Sequence, residues 1–405
     1  MSAKNTLFLF TNEYPCSKVL EHYIGHEISF LSAAFEKVII IPSTTGTVQK
    51  KIPSNVVVVD LFDKKWFSSS VGQMLACFPL FIKVYIQELF QKKGINFSRG
   101  KLISEFKTFY NAYISGIAIQ KYASLNSINI KQCAFYSYWF YHAPLISGIL
   151  KQRGKIDSFY SRAHQADLYT EQFKGNDSFY NFKINQITKL ALADSRSLNY
   201  ISGKFSQYKH KFFVSHVSVS DLGLNPLPEK DFVVVSCSSY SERKRIDLLA
   251  ELIANYPKQV KWIHFGYVPP NVLEVYSDKF GSSENFKSAK FLGDVSNEEL
   301  MSFYKTNPVS VIVNVSLSEG LPVSLVEAAG FGIPCIVTDV NGTPDIATPQ
   351  NGFLIPVNFK PEEFYNCLDK IKENNAALRQ GARDLMFKSF YAEKNYNAII
   401  SLLKQ

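Results

Sequence analysis

Two glutamates, Glu319 and Glu327, lie eight residues apart on either side of a turn at Gly320. The stretch 316–330 reads Ser-Leu-Ser-Glu-Gly-Leu-Pro-Val-Ser-Leu-Val-Glu-Ala-Ala-Gly. This pattern predicts a strand end, a tight turn and a helix. Pro322 suits the first position of that helix, because its missing N–H would have no intrahelical partner.

The open end of the predicted helix could hold an anion. The amides of Leu321, Val323 and Ser324 would point out of a positive helix terminus, which is a natural seat for a diphosphate. Glu319 would then face a sugar and Glu327, inside the helix, a ribose. The spacing fits a nucleotide-sugar, but it fits equally well two surface glutamates that flank an ordinary N-cap.

Predicted strands and helices alternate along the whole chain, and these elements could position the two glutamates. Continuous apolar strands alternating with helices predict α/β domains with parallel sheets covered on both faces. The predicted strands are 7–10, 37–42, 55–60, 134–138, 158–161, 232–237, 260–265, 309–315 and 334–338. The predicted helices are 21–35, two within 66–125, 143–151, 246–255, 298–304 and 322–329.

Composition excludes several classes of protein. With 405 residues, 46% hydrophobic and 20% charged, the chain can form two packed domains, and wholesale disorder is excluded. Its net charge of +9 is unevenly distributed along the chain, because residues 1–223 hold 26 Lys/Arg and 14 Asp/Glu. An anionic partner of the first half is therefore expected, whether membrane, phosphorylated lipid carrier or nucleic acid. A merely solvated basic face remains the alternative.

Cysteine spacing and hydropathy bear on the compartment. Six cysteines show neither CxxC nor secreted-domain spacing, which is typical of reduced cytosolic thiols. The N-terminus carries no signal-peptide pattern. The most apolar segment, 74–82, is interrupted by Pro79 and is shorter than the roughly 20 residues that a spanning helix needs. No spanning segment is predicted.

Further motifs, in the correct order, resemble one family over most of the chain. The Glu-Gly-Leu-Pro stretch with its two glutamates is similar to the E-x7-E motif of GT-B retaining glycosyltransferases of the GT4 family (glycosyl transferases group 1). Other donor-domain likenesses are at 235–240, 243–249, 264–266, 291–295, 332–345 and 351–354. In the first half, 21–27, 136–139 and the R-x-H-x-x-D segment 161–169 look like bacterial capsule and exopolysaccharide transferases.

The resemblance implies a fold and a division of labour. Two doubly wound Rossmann-like parallel-sheet domains would face each other across a cleft. Residues 1–223 would bind the acceptor and 231–388 the nucleotide-sugar. Residues 224–230, with two prolines, would be a hinge-like linker, and a helix in 389–405 would cross back to the first domain.

The resemblance also assigns roles on the donor side. Lys244 looks like the basic residue that neutralises the donor diphosphate. Gly266 lies at a strand end of the donor site. The family usually adds an arginine where this chain has Ser239. Either Arg243 or Arg245 would replace it, or backbone amides would do more of the work. Glu319 matches the glutamate on the donor sugar and Glu327 the one on ribose.

Acceptor-side roles follow from the first half. His164 matches the histidine near the reacting centre, with Arg162 and Asp167 in register, and a buried structural histidine is the alternative. Glu21, Glu27 and Trp139 are expected on the acceptor side. The Glu21/His22/His26/Glu27 cluster is interpreted as a solvated or acceptor-facing surface. No metal site is predicted, since the family is metal-independent.

The predicted function is a retaining glycosyltransferase that moves a sugar from a UDP- or GDP-sugar to a lipid-linked or oligosaccharide acceptor in cell-surface polysaccharide synthesis. No cofactor is expected. The alternatives are a non-catalytic sugar-nucleotide-binding subunit and a sugar-nucleotide epimerase of the same fold. Nucleic-acid binding is not predicted, although basic and aromatic residues alternate in 204–213. The basic first domain, with its apolar lysine-bearing stretch 66–107, is expected to dock on an anionic inner leaflet.

Overall fold

A computed structural model describes residues 4–17, 21, 23–44, 46–48, 51–61, 69–91, 99–169, 178–228 and 230–405. The chain divides into two compact units. Unit 1 comprises Met1–Ala193, Ser197–Ser215 and Tyr396–Gln405. Unit 2 comprises Asp194–Arg196 and His216–Asn395.

Unit 1 is built on a parallel sheet with the strand order β3-β2-β1-β4-β5-β6-β7. The strands are β1 (Thr6–Thr11), β2 (Lys37–Pro42), β3 (Val56–Val58), β4 (Cys133–Ser137), β5 (Tyr160–Ala163), β6 (Lys189–Leu192) and β7 (Phe212–Val214). The order reverses between β1 and β4. In open parallel sheets ligands bind beyond the strand carboxyl ends at such a reversal, which is where the loops after β1, β4 and β5 lie.

Both faces of this sheet are covered by helices. They are α1 (Ile24–Ala34), α2 (Val71–Gln91), α3 (Arg99–Leu125), α4 (Ala143–Gln152), α5 (Gln165–Leu168), α6 (Tyr180–Gln186) and α7 (Ser195–Lys204). Side chains alternate across a strand. Phe8 and Phe10 therefore pack in the cluster that contains residues of α2, α3 and α4. Leu7 and Leu9 pack on the other face, with α1 and with Leu403 near the C-terminus.

Unit 2 repeats the architecture with the strand order β10-β9-β8-β11-β12-β13. The strands are β8 (Val233–Cys237), β9 (Lys261–Phe265), β10 (Lys290–Phe291), β11 (Val311–Asn314), β12 (Cys335–Thr338) and β13 (Gly352–Ile355). The helices are α8 (Ile246–Asn255), α9 (Pro270–Phe280), α10 (Glu284–Lys287), α11 (Asn297–Thr306), α12 (Val323–Gly330), α13 (Thr343–Ile346), α14 (Pro361–Ser389) and α15 (Ala392–Leu403), whose last residues belong to unit 1. The order reverses between β8 and β11, so the loops after these two strands flank the expected ligand site. The predicted α/β class with parallel sheets is confirmed.

The stretch predicted as a linker is anchored to unit 2. The Asn225 side chain is buried and donates to the carbonyls of Tyr304 (2.5 Å) and Asn307 (2.7 Å), while its oxygen accepts from the Val309 amide (2.9 Å). Arg379 donates to the Asn225 carbonyl. Residues 224–228 are therefore an extension of unit 2 and not free chain, and Glu229 lies outside the described residues.

The first predicted helix begins later than expected. Glu21 has a positive φ of 56°, and α1 starts at Ile24 rather than at Glu21. A residue in the left-handed region does not continue a right-handed helix. Glu21 consequently lies in the loop after β1, at the edge of the sheet where ligands are expected.

Candidate functional site

The Glu319 carboxylate is the centre of a polar cluster in unit 2. It follows β11 and is buried. One oxygen accepts hydrogen bonds from Ser316 Oγ (2.6 Å) and Asn314 Nδ2 (3.1 Å) and contacts the Lys244 ammonium. The other oxygen lies 3.3 Å from Arg243 Nη1. The loops after β8 and β11 thus bring together a carboxylate and two cations that are 75 or more positions away in sequence.

These neighbours fix the charge of Glu319. Burial alone would raise the pKa of its carboxyl, but the Lys244 ammonium and the donors Ser316 and Asn314 outweigh burial and hold the pKa below its ordinary value. The carboxylate is therefore ionised at neutral pH. Glu319 also neutralises much of the positive charge of Lys244. A bound diphosphate would therefore share the Lys244 ammonium with Glu319.

The turn after Glu319 is held by a second loop. The Gly342 amide donates to the Gly320 carbonyl at 3.2 Å. A Cβ on Gly342 would come within 2.5 Å of that oxygen, so the close approach requires glycine there. The prediction that the next helix starts at Pro322 is wrong by one residue: Pro322 is the N-cap, with ψ of 112°, and α12 begins at Val323.

The helix end has the predicted open donors. Val323 and Ser324 occupy the first two positions of α12, whose amides have no acceptor within the helix. Leu321 precedes the cap and packs in the adjacent apolar cluster. The helix terminus and the Lys244 loop lie at the same edge of the sheet, which suits an anionic ligand.

The structure separates the roles of the two candidate arginines. Arg245, with a φ of 50°, donates to the carbonyls of Val315 (2.5 Å) and Val357 (2.8 Å) and is held by them. Arg243 instead points to Glu319 and to the Ser318 carbonyl (2.5 Å), with its side chain 49% exposed. Arg243 is therefore the second cation on the side of Lys244. Ser239 is exposed at the start of the same loop.

Gly266 and Glu327 line neighbouring parts of the site. Gly266 has a φ of 124°, and a Cβ there would lie 2.1 Å from the Ser238 carbonyl oxygen, so the ends of β8 and β9 meet only because residue 266 is glycine. Glu327 is buried within α12, and its Oε1 accepts a hydrogen bond from Asn297 Nδ2 (2.7 Å). Asn297 thus orients the carboxylate that was predicted to bind ribose.

In unit 1, His164 lies in an aromatic pocket at the carboxyl end of β5. Its ring centroid is 4.6 Å from Trp139, 5.7 Å from Tyr138 and 6.0 Å from Tyr23. Burial, together with the Arg162 cation, lowers the pKa of His164 to about 3. The imidazole is therefore neutral at pH 7. Within the described part of the chain its Nε2 has no hydrogen-bond partner, although it is buried.

Asp167 holds the backbone on both sides of this pocket. Its two carboxylate oxygens accept from the amides of His164 and Phe140, each at 2.6 Å. Burial raises the pKa of Asp167 to about 7, against the opposing effect of these amides. The buried Asp167 therefore positions His164 and the loop after β4.

Arg162 and Glu27 form a buried ion pair. Their side chains are each 1% exposed, with Arg162 Nη2 3.1 Å from Glu27 Oε2. Tyr136 Oη accepts from Arg162 Nε (2.6 Å) and donates to Glu27 Oε1 (3.0 Å). Arg162 also donates to the Ser215 carbonyl (2.7 Å). The expectation that Glu27 and Arg162 face an acceptor is not met, because the helix face of Glu27 is the one that packs on the sheet.

We expect Arg162→Met to destabilise the protein by about 3–5 kcal/mol, because it leaves the Glu27 carboxylate buried without a counter-charge. Urea unfolding of the two proteins measures this difference. Glu27→Gln combined with Arg162→Met should recover part of the loss, since the double variant removes both charges. A single-variant loss below about 1 kcal/mol would contradict the ion-pair assignment.

Glu21 and Trp139 meet at the loop after β1. The Glu21 carboxylate accepts from the amides of Asn12 (3.1 Å), Glu13 (2.7 Å) and Tyr14 (2.6 Å) and from Trp139 Nε1. Three consecutive amides form an anion-binding concavity, and here the protein's own carboxylate fills it. Glu21 therefore shapes this loop and fixes the Trp139 indole beside His164.

Several site residues were not singled out from the sequence. Ser316 and Asn314 precede Glu319 by three and five positions, and a polar pair at the end of an apolar strand is the signal that could have found them. Tyr23 and Tyr138 lie within the family-like segments 21–27 and 136–139 without being named individually, and Asn297 carries no such signal. Among the described residues no group of three or more His, Cys, Asp or Glu side chains is placed to hold a metal. His22 lies outside them.

Comparisons with known proteins locate the likeness mainly in unit 2. Residues 224–384 match the family model described as glycosyl transferases group 1. An Escherichia coli O-antigen biosynthesis glycosyltransferase, WbnH, is 33% identical over 139 residues, which are 34% of this chain and 37% of that protein. The Escherichia coli UDP-Gal:alpha-D-GlcNAc-diphosphoundecaprenol alpha-1,3-galactosyltransferase is 30% identical over 95 residues, 23% of this chain and 24% of that protein. The aligned parts therefore cover 37% and 24% of the lengths of these two relatives.

A comparison of folds extends over both units. Anabaena Alr3699/HepE, solved in complex with UDP, superposes with a TM-score of 0.65 at 16% identity, covering 98% of this chain and 99% of that one. At this identity the match establishes the fold alone. The chain has the GT-B fold predicted from its motifs.

Proposed function

We propose that this chain transfers a sugar from a nucleotide-sugar to a glycan acceptor. The match of residues 224–384 to the family model of glycosyl transferases group 1 supports the proposal. The observation that carries the proposal is the cluster of Glu319, Lys244 and Arg243 beside the open end of α12. Two cations beside helix-end amides without intrahelical acceptors favour an anionic ligand, and a diphosphate is such a ligand. The substrate is a UDP- or GDP-sugar, and the pathway is cell-surface polysaccharide synthesis.

In the proposed reaction the donor diphosphate binds Lys244, Arg243 and the amides of Val323 and Ser324. The bond from the anomeric carbon to the diphosphate breaks, a bond to an acceptor hydroxyl oxygen forms, and the hydroxyl proton passes to an oxygen of the departing diphosphate. Charge builds on the departing diphosphate, and cations and amides already in place stabilise it at little reorganisation cost. The family resemblance favours retention of anomeric configuration without a metal or other cofactor.

The two glutamates have different tasks in this proposal. Glu319 is ionised and oriented by Ser316 and Asn314, so it can accept hydrogen bonds from sugar hydroxyls. Glu327, oriented by Asn297, accepts from the ribose diol. Two fixed carboxylates at opposite ends of the donor determine its register on the helix terminus.

Unit 1 supplies the acceptor site. His164 is half-buried among aromatic rings and neutral, so it acts on the acceptor as a hydrogen-bonding group and not as a cation. The acceptor is a lipid-linked or oligosaccharide glycan. A relative named for a diphosphoundecaprenol-linked substrate supports this class. The protein would then work on the cytoplasmic side, at an anionic inner leaflet.

Lys244→Ala should weaken nucleotide-sugar binding by an order of magnitude or more, because it removes the cation nearest the diphosphate. Isothermal titration calorimetry with a panel of UDP- and GDP-sugars gives the affinities. Lys287→Ala, which removes an exposed lysine paired with Glu284 in the same unit, is the control and should bind as the wild type does. Equal affinity of Lys244→Ala and wild type would remove Lys244 from the donor site.

A further inference from the structure

Helix α2 exposes a long apolar stripe. Val71, Leu75, Phe78 and Phe90 are 70%, 66%, 52% and 86% exposed, and Ile86 is exposed as well. Their spacing of three or four residues, continued by the half-buried Ile82 between Phe78 and Ile86, places them along one side of the helix. Large apolar side chains exposed in a contiguous row are uncommon on a soluble monomer and mark an interaction surface.

The opposite side of α2 is committed to the interior of unit 1. Cys77, Phe81 and Val84 are buried in its core. Glu88 is buried too, and it accepts hydrogen bonds from the Phe182 amide (2.5 Å) and Asn181 (2.9 Å). By length and composition Val71–Phe90 is the one helix of the described residues that could cross a bilayer. Its packing against the core argues that it lies along a surface instead.

Exposed charge next to the stripe has one sign. The two acidic residues of α2 and α3, Glu88 and Glu105, are buried. The exposed charged residues of these helices are Lys83, Arg99, Lys101, Lys107 and Lys121. Arg99 and Lys107 flank the exposed Ile103 at four-residue spacing, so the three form one face of α3.

Aromatic contacts join this α3 face to α2. Phe106 packs against Phe78 (5.9 Å between centroids) and Phe81 (5.0 Å). Phe106 lies three positions after Ile103, so the two are neighbours on the surface of α3. The apolar stripe of α2 and the basic face of α3 are therefore adjacent parts of one surface, defined here as the α2/α3 face.

We propose that the α2/α3 face docks unit 1 on an anionic lipid bilayer, with α2 lying in the interfacial plane and its apolar stripe inserted among the acyl chains. The proposal rests on the proposed function, for which a lipid-linked acceptor needs such a surface, and it names the elements that make the contact. Apolar burial and attraction of basic residues to anionic headgroups act together in this mode of binding.

Charge complementarity selects the bilayer over a second copy of the chain. A symmetric dimer through this face would bring Lys83, Arg99 and Lys107 of each copy near their own kind, with no exposed acidic residue on α2 or α3 to offset them. An anionic leaflet offsets all of them. Each cation near such a surface contributes about 1 kcal/mol at ordinary ionic strength.

Flotation of the full-length protein with phosphatidylcholine vesicles, with and without phosphatidylglycerol, tests the proposal. Wild type should float with the anionic vesicles. Leu75→Gln/Phe90→Gln should weaken this binding at least about tenfold, since two inserted side chains become polar. Lys83→Gln/Lys107→Gln should weaken it by a similar factor and reduce its dependence on salt. Val275→Gln/Phe387→Gln, at exposed apolar positions of unit 2, is the matched control and should bind as wild type.

Any other outcome contradicts the proposal that the α2/α3 face docks on the bilayer. The proposal is wrong if the wild type does not float, if vesicle binding of the control is weakened as much as that of the α2 variant, or if the α2 variant binds as the wild type does. Resistance of wild type to extraction by alkaline carbonate would show a spanning helix. A wild-type dimer that Leu75→Gln/Phe90→Gln converts to monomer would show a protein partner. Turnover of dissolved substrates, measured in parallel, separates the proposals: if it persists without vesicle binding, only the docking face fails.

Discussion

Replacement of Glu319 by glutamine is expected to lower sugar transfer by about 100-fold or more without weakening donor binding. The glutamine keeps the shape of the side chain but removes the charge that Lys244, Arg243, Ser316 and Asn314 surround. Both cations stay in place for the diphosphate, so the ground-state complex should still form. Steady-state kinetics and calorimetry on the same preparation measure the two quantities.

The control for this variant is Glu242→Gln. Glu242 is an exposed carboxylate on the loop that carries Lys244, and it lies outside the Glu319 cluster. The Glu242→Gln variant should leave turnover and donor affinity unchanged. If Glu319→Gln instead weakens donor binding and leaves turnover at saturating donor unchanged, Glu319 holds the donor equally in the ground and transition states and has no part in the transfer step. Wild-type turnover in Glu319→Gln would contradict its proposed role altogether.

His164→Ala should reduce turnover by about 100-fold, with donor affinity within a few-fold of wild type. The ring lies in unit 1 among Trp139, Tyr138 and Tyr23, whereas the donor groups belong to unit 2. Because the pKa of His164 is lowered to about 3, the neutral ring persists through the range from pH 5 to 8. Transfer by the wild type should therefore show no loss near pH 6.5 that depends on His164.

His210→Ala is the matched control, since His210 is an exposed histidine of the same unit. Circular dichroism and the urea midpoint show whether His164→Ala is folded. His164→Gln, which can still form hydrogen bonds, should recover part of the activity. Should His164→Ala keep wild-type turnover, the histidine belongs to the core of unit 1 and the acceptor-site assignment fails.

The helix end beside Glu319 could be predicted from the sequence because it is local. Glu319, Pro322 and Glu327 lie on one turn and one helix, where the residue types themselves predict an anion-binding end. The pairing of Lys244 with Glu319 could not be predicted in this way, because it depends on β8 and β11 being neighbours in the sheet. The same limit applied to Arg243 and Arg245, because their partners at 318–319 and at 315 and 357 are distant in sequence.

In unit 1 the surroundings of the candidate residues could not be predicted from the sequence. Arg162 and Glu27 look like binding residues in a sequence, since buried charges are rare. Only the fold shows that α1 sets Glu27 against Arg162 and Tyr136. Strands β6 and β7 were not predicted, because four and three residues give too little periodicity.

The central claim is sugar transfer, and the most direct test incubates the protein with UDP- and GDP-sugars and a lipid-linked glycan extract. Release of nucleoside diphosphate and the mass of the lipid-linked product are recorded for wild type and Glu319→Gln. We predict that with one donor the wild type releases nucleotide and adds one sugar mass to the acceptor, and that Glu319→Gln does so at least about 100-fold more slowly. Binding of a donor without release or added mass would contradict the claim, as would isomerisation of the donor sugar without transfer.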